Sequence, residues 1–390
     1  MINRATLAIV LLVSLAHALV HVYENALPSV EQEIAAEYYS GDSVQGKRFT
    51  GRLSYVWRLM WGVGAIVAGW LVDRFGSRRL LVIYLWGCSL TCGLAALVST
   101  EQGLFLVMML MGALASIYHP AGLALISHET TEENRLRSLG LHGILGSAGI
   151  GLTPLSIGLL MDANFDWRQV YLALLLPGIV LGGVILFDAL RRRQLAGSQK
   201  IVPKSEERLP DYRSFFVLTL LAAIQGFVYS GLMSFLVRYL NQNGQVTNSG
   251  GNYWASGVLL MGCIGQYIAG RWAKPNQLER QVTIITFGNV PLLLWMSVAE
   301  GGWRPASAGL LALVHFMHQP LYNSLIAKYT PRHRRSLCYG FSFAMGLGLG
   351  SFGALFAGYT MSDLILYGGL GLMALGGGFV GLVLCGMQKQ

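Results

Sequence analysis

The chain has 390 residues, of which 54% are hydrophobic and only 12% charged, and its formal net charge is +9. Soluble domains carry about 25% charged residues, so water is excluded as the main solvent and a bilayer is implied. The basic balance does not indicate a nucleic-acid partner, because no RNA- or DNA-binding module is present and the basic residues follow the loops: about 21 lie on one side of the expected membrane and about 6 on the other, with Arg58 inside a span.

Twelve apolar runs are each near the ~20 residues a helix needs to cross hydrocarbon: 4–27, 51–72, 80–98, 103–127, 136–161, 168–190, 212–240, 250–272, 282–299, 305–327, 336–359 and 363–387. The first has no small-residue cleavage site and carries His17, His21 and Glu24, so it reads as a retained span. These three residues stand at i, i+4 and i+7 and share one helical face, which must avoid lipid and line a cavity. Residues 28–50 are expected to form the longest outer loop, with a short surface helix through Val30, Ile34 and Tyr38. The second span carries Arg58 at the depth of Glu24, so an ion pair is expected, either as a substrate clamp or switch or as a pin between two helices. Trp57 and Trp61 are placed to stack on the guanidinium.

Between the second and third spans lies Gly69-Trp70-Leu71-Val72-Asp73-Arg74-Phe75-Gly76-Ser77-Arg78-Arg79. So short a connection makes its two spans antiparallel neighbours, and its arginines mark that end, and both chain termini, as cytoplasmic. Cys88 and Cys92, one turn apart in the third span, read as small packing residues, and the five cysteines imply no disulfide framework. Met108, Met109 and Met111 read as packing. The fourth span holds Tyr118-His119-Pro120, and the fifth holds His142, Ser147 and the series Gly143, Gly146, Gly149 and Gly151, which suits close helix contact.

Residues 191–211 are basic and polar, hold Pro203 and Pro210, and read as a cytoplasmic linker between an N-terminal six-helix bundle (1–190) and a C-terminal one (212–390). The seventh span carries Gln225 and Tyr229, the eighth Gln266, the tenth His315, His318 and Gln319, and the eleventh Tyr339 and the series Gly346, Gly348 and Gly350. His315 and His318 share a face. Of the eight histidines, only His128 and His333 stand clearly at span ends. The halves resemble each other: Pro120 matches Pro320, Arg137-Ser138-Leu139 matches Arg335-Ser336-Leu337, and Gly69 matches Gly270. Such repeats bind substrate between the halves, near the midplane. No phosphate loop, Gly-x-Ser-x-Gly or His-Glu-x-x-His is present, so an enzyme is not expected, and no cofactor is implied.

The hinge pattern, the twelve spans and the two halves closely resemble the major facilitator superfamily over essentially the whole chain. The resemblance implies an all-α integral membrane fold of twelve transmembrane helices in two pseudo-symmetric bundles, working by alternating access. It places spans 1, 4, 7 and 10 around a central cavity, and so implies that His17, His21, Glu24, His119, Gln225, Tyr229, His315 and His318 surround the substrate, with Arg58 beside them. It also implies a gate at Gly69, Asp73, Arg74, Gly76 and Arg78, in which Asp73 latches Arg74 and Arg78. Ser14-Leu15-Ala16-His17 and Tyr118-His119-Pro120 resemble the fosmidomycin-resistance group of drug exporters. Two features depart from proton-coupled members: the arginine of the fourth span is missing, with Met108 near its place, and the antiporter signature of the fifth is partial, ending at Gly151-Leu152-Thr153-Pro154. The expected function is secondary transport of a small solute, proton-coupled and in the export direction, by a monomer among the lipids of a prokaryotic cytoplasmic membrane. Two alternatives stand: a transition-metal carrier using His17, His21, His315 and His318, and a non-transporting receptor or scaffold.

Overall fold

Short connections force successive helices to run antiparallel. The computed structural model describes residues 4–195, 210–241, 248–331 and 335–388. These form α1 (Arg4–Tyr38), α2 (Ser43–Phe75), α3 (Ser77–Leu97), α4 (Glu101–Ala115), α5 (Tyr118–Glu129), α6 (Glu132–Asp162), α7 (Trp167–Leu195), α8 (Tyr212–Asn241), α9 (Asn248–Trp272), α10 (Leu278–Val298), α11 (Trp303–Phe316), α12 (His318–Tyr329), α13 (Arg335–Phe343), α14 (Phe352–Tyr359) and α15 (Asp363–Met387). No strand occurs among the described residues. The segments compose twelve rods, because α4 and α5 form one rod, α11 and α12 another, and α13 continues through a π-turn (Ala344–Gly348) and a 3-10 turn (Leu349–Ser351) into α14. Among the described residues ten rods are long and apolar enough to cross a membrane. α9 and the α11–α12 rod complete the twelve.

Two rods break for the same reason. A proline lacks an N–H, and its ring crowds the carbonyl four residues back. Pro120 thus ends α4 at Ala115, and Pro320 ends α11 at Phe316. Gly76 closes α2 with φ +86°, a left-handed conformation that lets α3 start at the next residue.

The loop expected over residues 28–50 is not one. α1 continues through Pro28 to Tyr38, and α2 begins at Ser43. The Asn25 and Ser29 side chains donate to the His21 and Asn25 carbonyls around the proline. Val30 and Ile34 are fully buried rather than lying on a surface. The polar residues that suggested a loop are paired instead: Glu37 accepts from Trp167 and Arg168, and Glu31 accepts from Thr50 and Arg238.

One apolar core fills the N-terminal half, including Val20, Leu53, Leu85, Met111 and Tyr171. Two more fill the C-terminal half, around Leu232 and Leu311 and around Leu218 and Leu325. Large apolar side chains face outward, such as Val67, Leu97, Leu176, Phe187 and Leu372, as a lipid-facing belt requires. α7 runs through Arg191 to Leu195, while residues 196–209 of the expected linker lie outside the described residues, as does His333.

Candidate functional site

Most of the ionisable face of α1 points inward. His17 and His21 are 7% exposed and Glu24 is 3% exposed. His17 donates from Nδ1 to the His142 carbonyl at 2.8 Å, and the two imidazoles stack at 4.1 Å. His21 donates from Nδ1 to Glu24 Oε2 at 2.7 Å. The other carboxylate oxygen, Oε1, accepts from Arg58 Nη1 at 2.5 Å and from the Tyr229 hydroxyl at 2.9 Å. Arg58 is 1% exposed, and the ring that covers its guanidinium is Tyr229, 5.2 Å away, not a tryptophan. Trp57, its chain neighbour, leaves the helix about 100° away, and Trp61 lies parallel to His119. Tyr229 belongs to α8, so the charge pair of one half is completed by the other.

The C-terminal half holds a chain of hydrogen bonds with a defined polarity. Thr286 donates to the Val282 carbonyl and accepts from Gln225 Nε2 at 2.6 Å. Gln225 Oε1 therefore faces Asn289 Nδ2, which also lies 3.2 Å from His315 Nδ1. With Nδ1 as acceptor, neutral His315 carries its proton on Nε2, which is buried with no hydrogen-bond partner. His318 donates from Nδ1 to the His315 carbonyl. Gln319 accepts from Gln266, which accepts from Ser147 of the other half.

Several of these residues line a cavity whose empty space, open solvent included, is about 930 Å³. His21, Trp61 and His119 line one side, and Gln225, Tyr229, His315, His318 and Gln319 the other. The lining continues through Tyr322, Asn323, Ile326 and Tyr339 toward the end of the molecule that carries the 69–79 hinge. The opposite end is locked. Arg238 donates twice to Glu31, at 2.7 and 2.9 Å, and Lys47 donates to the Thr360 carbonyl at 2.5 Å. Asn252 donates to the Ser29 carbonyl at 2.9 Å. α2 packs backbone to backbone against the eleventh rod, where a Cβ on Gly62 would stand 2.1 Å from the Gly348 nitrogen and one on Gly51 would stand 2.6 Å from Gly358 Cα.

Residues 13–354 match the family model of the Major Facilitator Superfamily. The chain belongs to the major facilitator superfamily. This is a family of transporters rather than enzymes. Among solved structures, the inward-open xylose transporter XylE of E. coli superposes with a TM-score of 0.76 at 11% identity, covering 97% of this chain and 95% of the other. Among curated relatives, the methylenomycin A resistance protein of Streptomyces coelicolor is 30% identical over 35% of this chain and 29% of its own length. The multidrug efflux pump LfrA of Mycolicibacterium smegmatis is 31% identical over 33% of this chain and 26% of its own. The matched segments thus span under a third of each of these two relatives.

The superfamily fold brings His21, His119, Gln225, Tyr229, His315 and His318 to one cavity, with Glu24 directly behind His21 and His17 beside it. It keeps the two histidine groups apart. The ring nitrogens of His17, His21 and His119 offer ligand atoms within 4.8 Å of one another, whereas His315 and His318 pair on the other half with ring centroids 4.9 Å apart. At the hinge, Arg78 pairs with Glu129 at 2.7 Å and with Asp188 at 3.6 Å. Asp73 and Arg74 are exposed, and among the described residues Asp73 makes no ion pair. Gly69 has open space where a Cβ would stand. The site also includes residues not singled out from the sequence. Asn289 and Thr286 orient His315, and Glu31, Lys47 and Arg238 lock one end. Opposite charges near the ends of the first and seventh spans were the available signal for the lock.

Proposed function

We propose that this chain is a secondary active carrier that moves a small organic solute through the central cavity by alternating access, driven by the proton gradient, in the direction of export. The observation that carries the reading is a cavity at the junction of two halves, lined by buried imidazoles and amides, open toward the hinge end and locked at the other. Intramembrane ionisable groups of this kind mark substrate and proton paths. In this reading the basic hinge end is cytoplasmic, both termini lie there, the membrane is the bacterial cytoplasmic one, and the state seen is inward-facing. The working unit is a monomer. The drug-resistance and efflux names of the curated relatives support export of drug-like solutes.

Purified protein in proteoliposomes with an imposed pH gradient, assayed against cationic drugs, organic anions and divalent metals, tests this. Flux of an organic solute that collapses with a protonophore is expected, and His17→Ala should reduce it at least tenfold while leaving monodisperse yield unchanged. Gradient-independent silence across the panel would favour a receptor or scaffold. Full activity of His17→Ala would remove that residue from the transport path.

A further inference from the structure

We propose that His17, His21 and His119 form a binding site for one divalent transition-metal ion in the cavity wall, with a further coordination position open to the cavity. The argument starts from the protons. The partner of His17 Nδ1 is a carbonyl and that of His21 Nδ1 is a carboxylate. Both partners only accept, so both Nδ1 atoms carry hydrogen, and in the neutral rings both Nε2 atoms are bare lone pairs. Those two lone pairs face each other at 3.3 Å. Two buried acceptors pointed at one another repel unless a cation stands between them.

The spacing suits a metal. Imidazole nitrogens at about 2.0–2.1 Å from a tetrahedral Zn²⁺ lie about 3.3–3.4 Å apart, which is the separation the His17–His21 pair already has. His119 supplies the third ligand. Among the described residues its nitrogens take no hydrogen bond, and its ring is sandwiched between Trp61 at 5.7 Å and Phe343 at 4.6 Å. From within 4.8 Å, it needs to close by at most about 1.5 Å to reach the same spacing, a movement in the plane of its stacked neighbours.

The surroundings do what the shell behind a metal site does elsewhere. A carboxylate and a backbone carbonyl hold the non-ligating nitrogens and fix the rings. Glu24 is in turn held by Arg58 and Tyr229. All three histidines are more than nine-tenths buried, and His21 and His119 reach the cavity, which provides the path in. An all-imidazole donor set selects Zn²⁺, Co²⁺, Ni²⁺ or Cu²⁺ over Mg²⁺ and Ca²⁺, which take oxygen ligands.

The test uses the full chain in detergent, tag removed, titrated with Co²⁺ and with Zn²⁺ as competitor. The expected result is one equivalent bound with the intense visible absorption of tetrahedral Co²⁺, bleached by Zn²⁺. His21→Ala and His119→Phe should each weaken binding at least tenfold, the second keeping the aromatic stack if the first fails to fold, and His315→Phe should leave it unchanged. Absence of stoichiometric binding, an octahedral spectrum, or binding that survives His119→Phe in monodisperse protein would overturn the proposal and leave an excess proton as the occupant between His17 and His21. Because binding is read without transport, failure here leaves the carrier reading standing, and failure of transport leaves the site.

Discussion

Arg58→Gln is expected to destabilise the folded protein by about 3–5 kcal/mol, the usual cost of stripping one partner from a buried ion pair. Glu24 has a fully buried carboxylate with Arg58 at 2.5 Å as its ion-pair partner, and His21 and Tyr229 add one hydrogen bond each. Adding Glu24→Gln should recover most of the loss, to within about 1–2 kcal/mol of the native chain, because two amides can hydrogen-bond where an orphaned charge cannot. Thermal unfolding in detergent, run as a double-mutant cycle, reads this directly. A double variant whose loss equals the sum of the two single losses would show that the two residues act separately. Tyr229 gives the cycle a conformational side as well: its hydroxyl reaches Glu24 from the other half, so the pair helps hold the halves together around the cavity.

Arg238→Ala is expected to shift the protein toward a state open at the end now closed. Its guanidinium makes two bonds to Glu31, a carboxylate with 1% of its side chain exposed. Charge-assisted bonds of this type contribute about 1.5–3 kcal/mol each, and each 1.4 kcal/mol is tenfold in population. Loss of both bonds, about 3 kcal/mol at the least, should therefore raise the open fraction by about 100-fold or more. A single cysteine at Ser29, buried behind the lock, should become reactive to a membrane-impermeant thiol reagent added from outside. If labelling matches that of the Arg238-containing parent, the contact is not a gate.

The sequence carried the large features because each rests on a strong physical constraint. A charge in hydrocarbon has few places to go, so Arg58 and Glu24 at one depth find each other. Pro120 and Pro320 cannot continue a helix undisturbed, so the fourth rod of each half breaks. A turn as short as that around Gly76 admits only antiparallel neighbours. What stayed hidden depends on partners distant in the chain. Residues 28–50 read as an outer loop, acidic at its start and carrying a short surface helix, and only the fold shows that Arg238 and Arg168 pair with Glu31 and Glu37. The tautomer of His315 follows from Thr286, Gln225 and Asn289 on two neighbouring helices. The link from His17 to the His142 carbonyl needs α1 and α6 in contact, where Gly149 lets the backbones meet at Ala18. The expected latch at Asp73 is not engaged in this state, in which Arg78 is held by Glu129 and Asp188.

Alternating access makes a reciprocal demand on the two ends of the cavity. Spin labels at Gln45 and Ser362 report the locked end, and labels at Ser127 and Ser324 report the hinge end, with both pairs spanning the two halves. Distance distributions in lipid nanodiscs should show the first pair short and the second long in the resting protein. Arg238→Ala, or an energised substrate found in the transport panel, should lengthen the first and shorten the second together. Two distances that stay fixed, or that lengthen in concert, would contradict a carrier that opens its cavity to one side at a time.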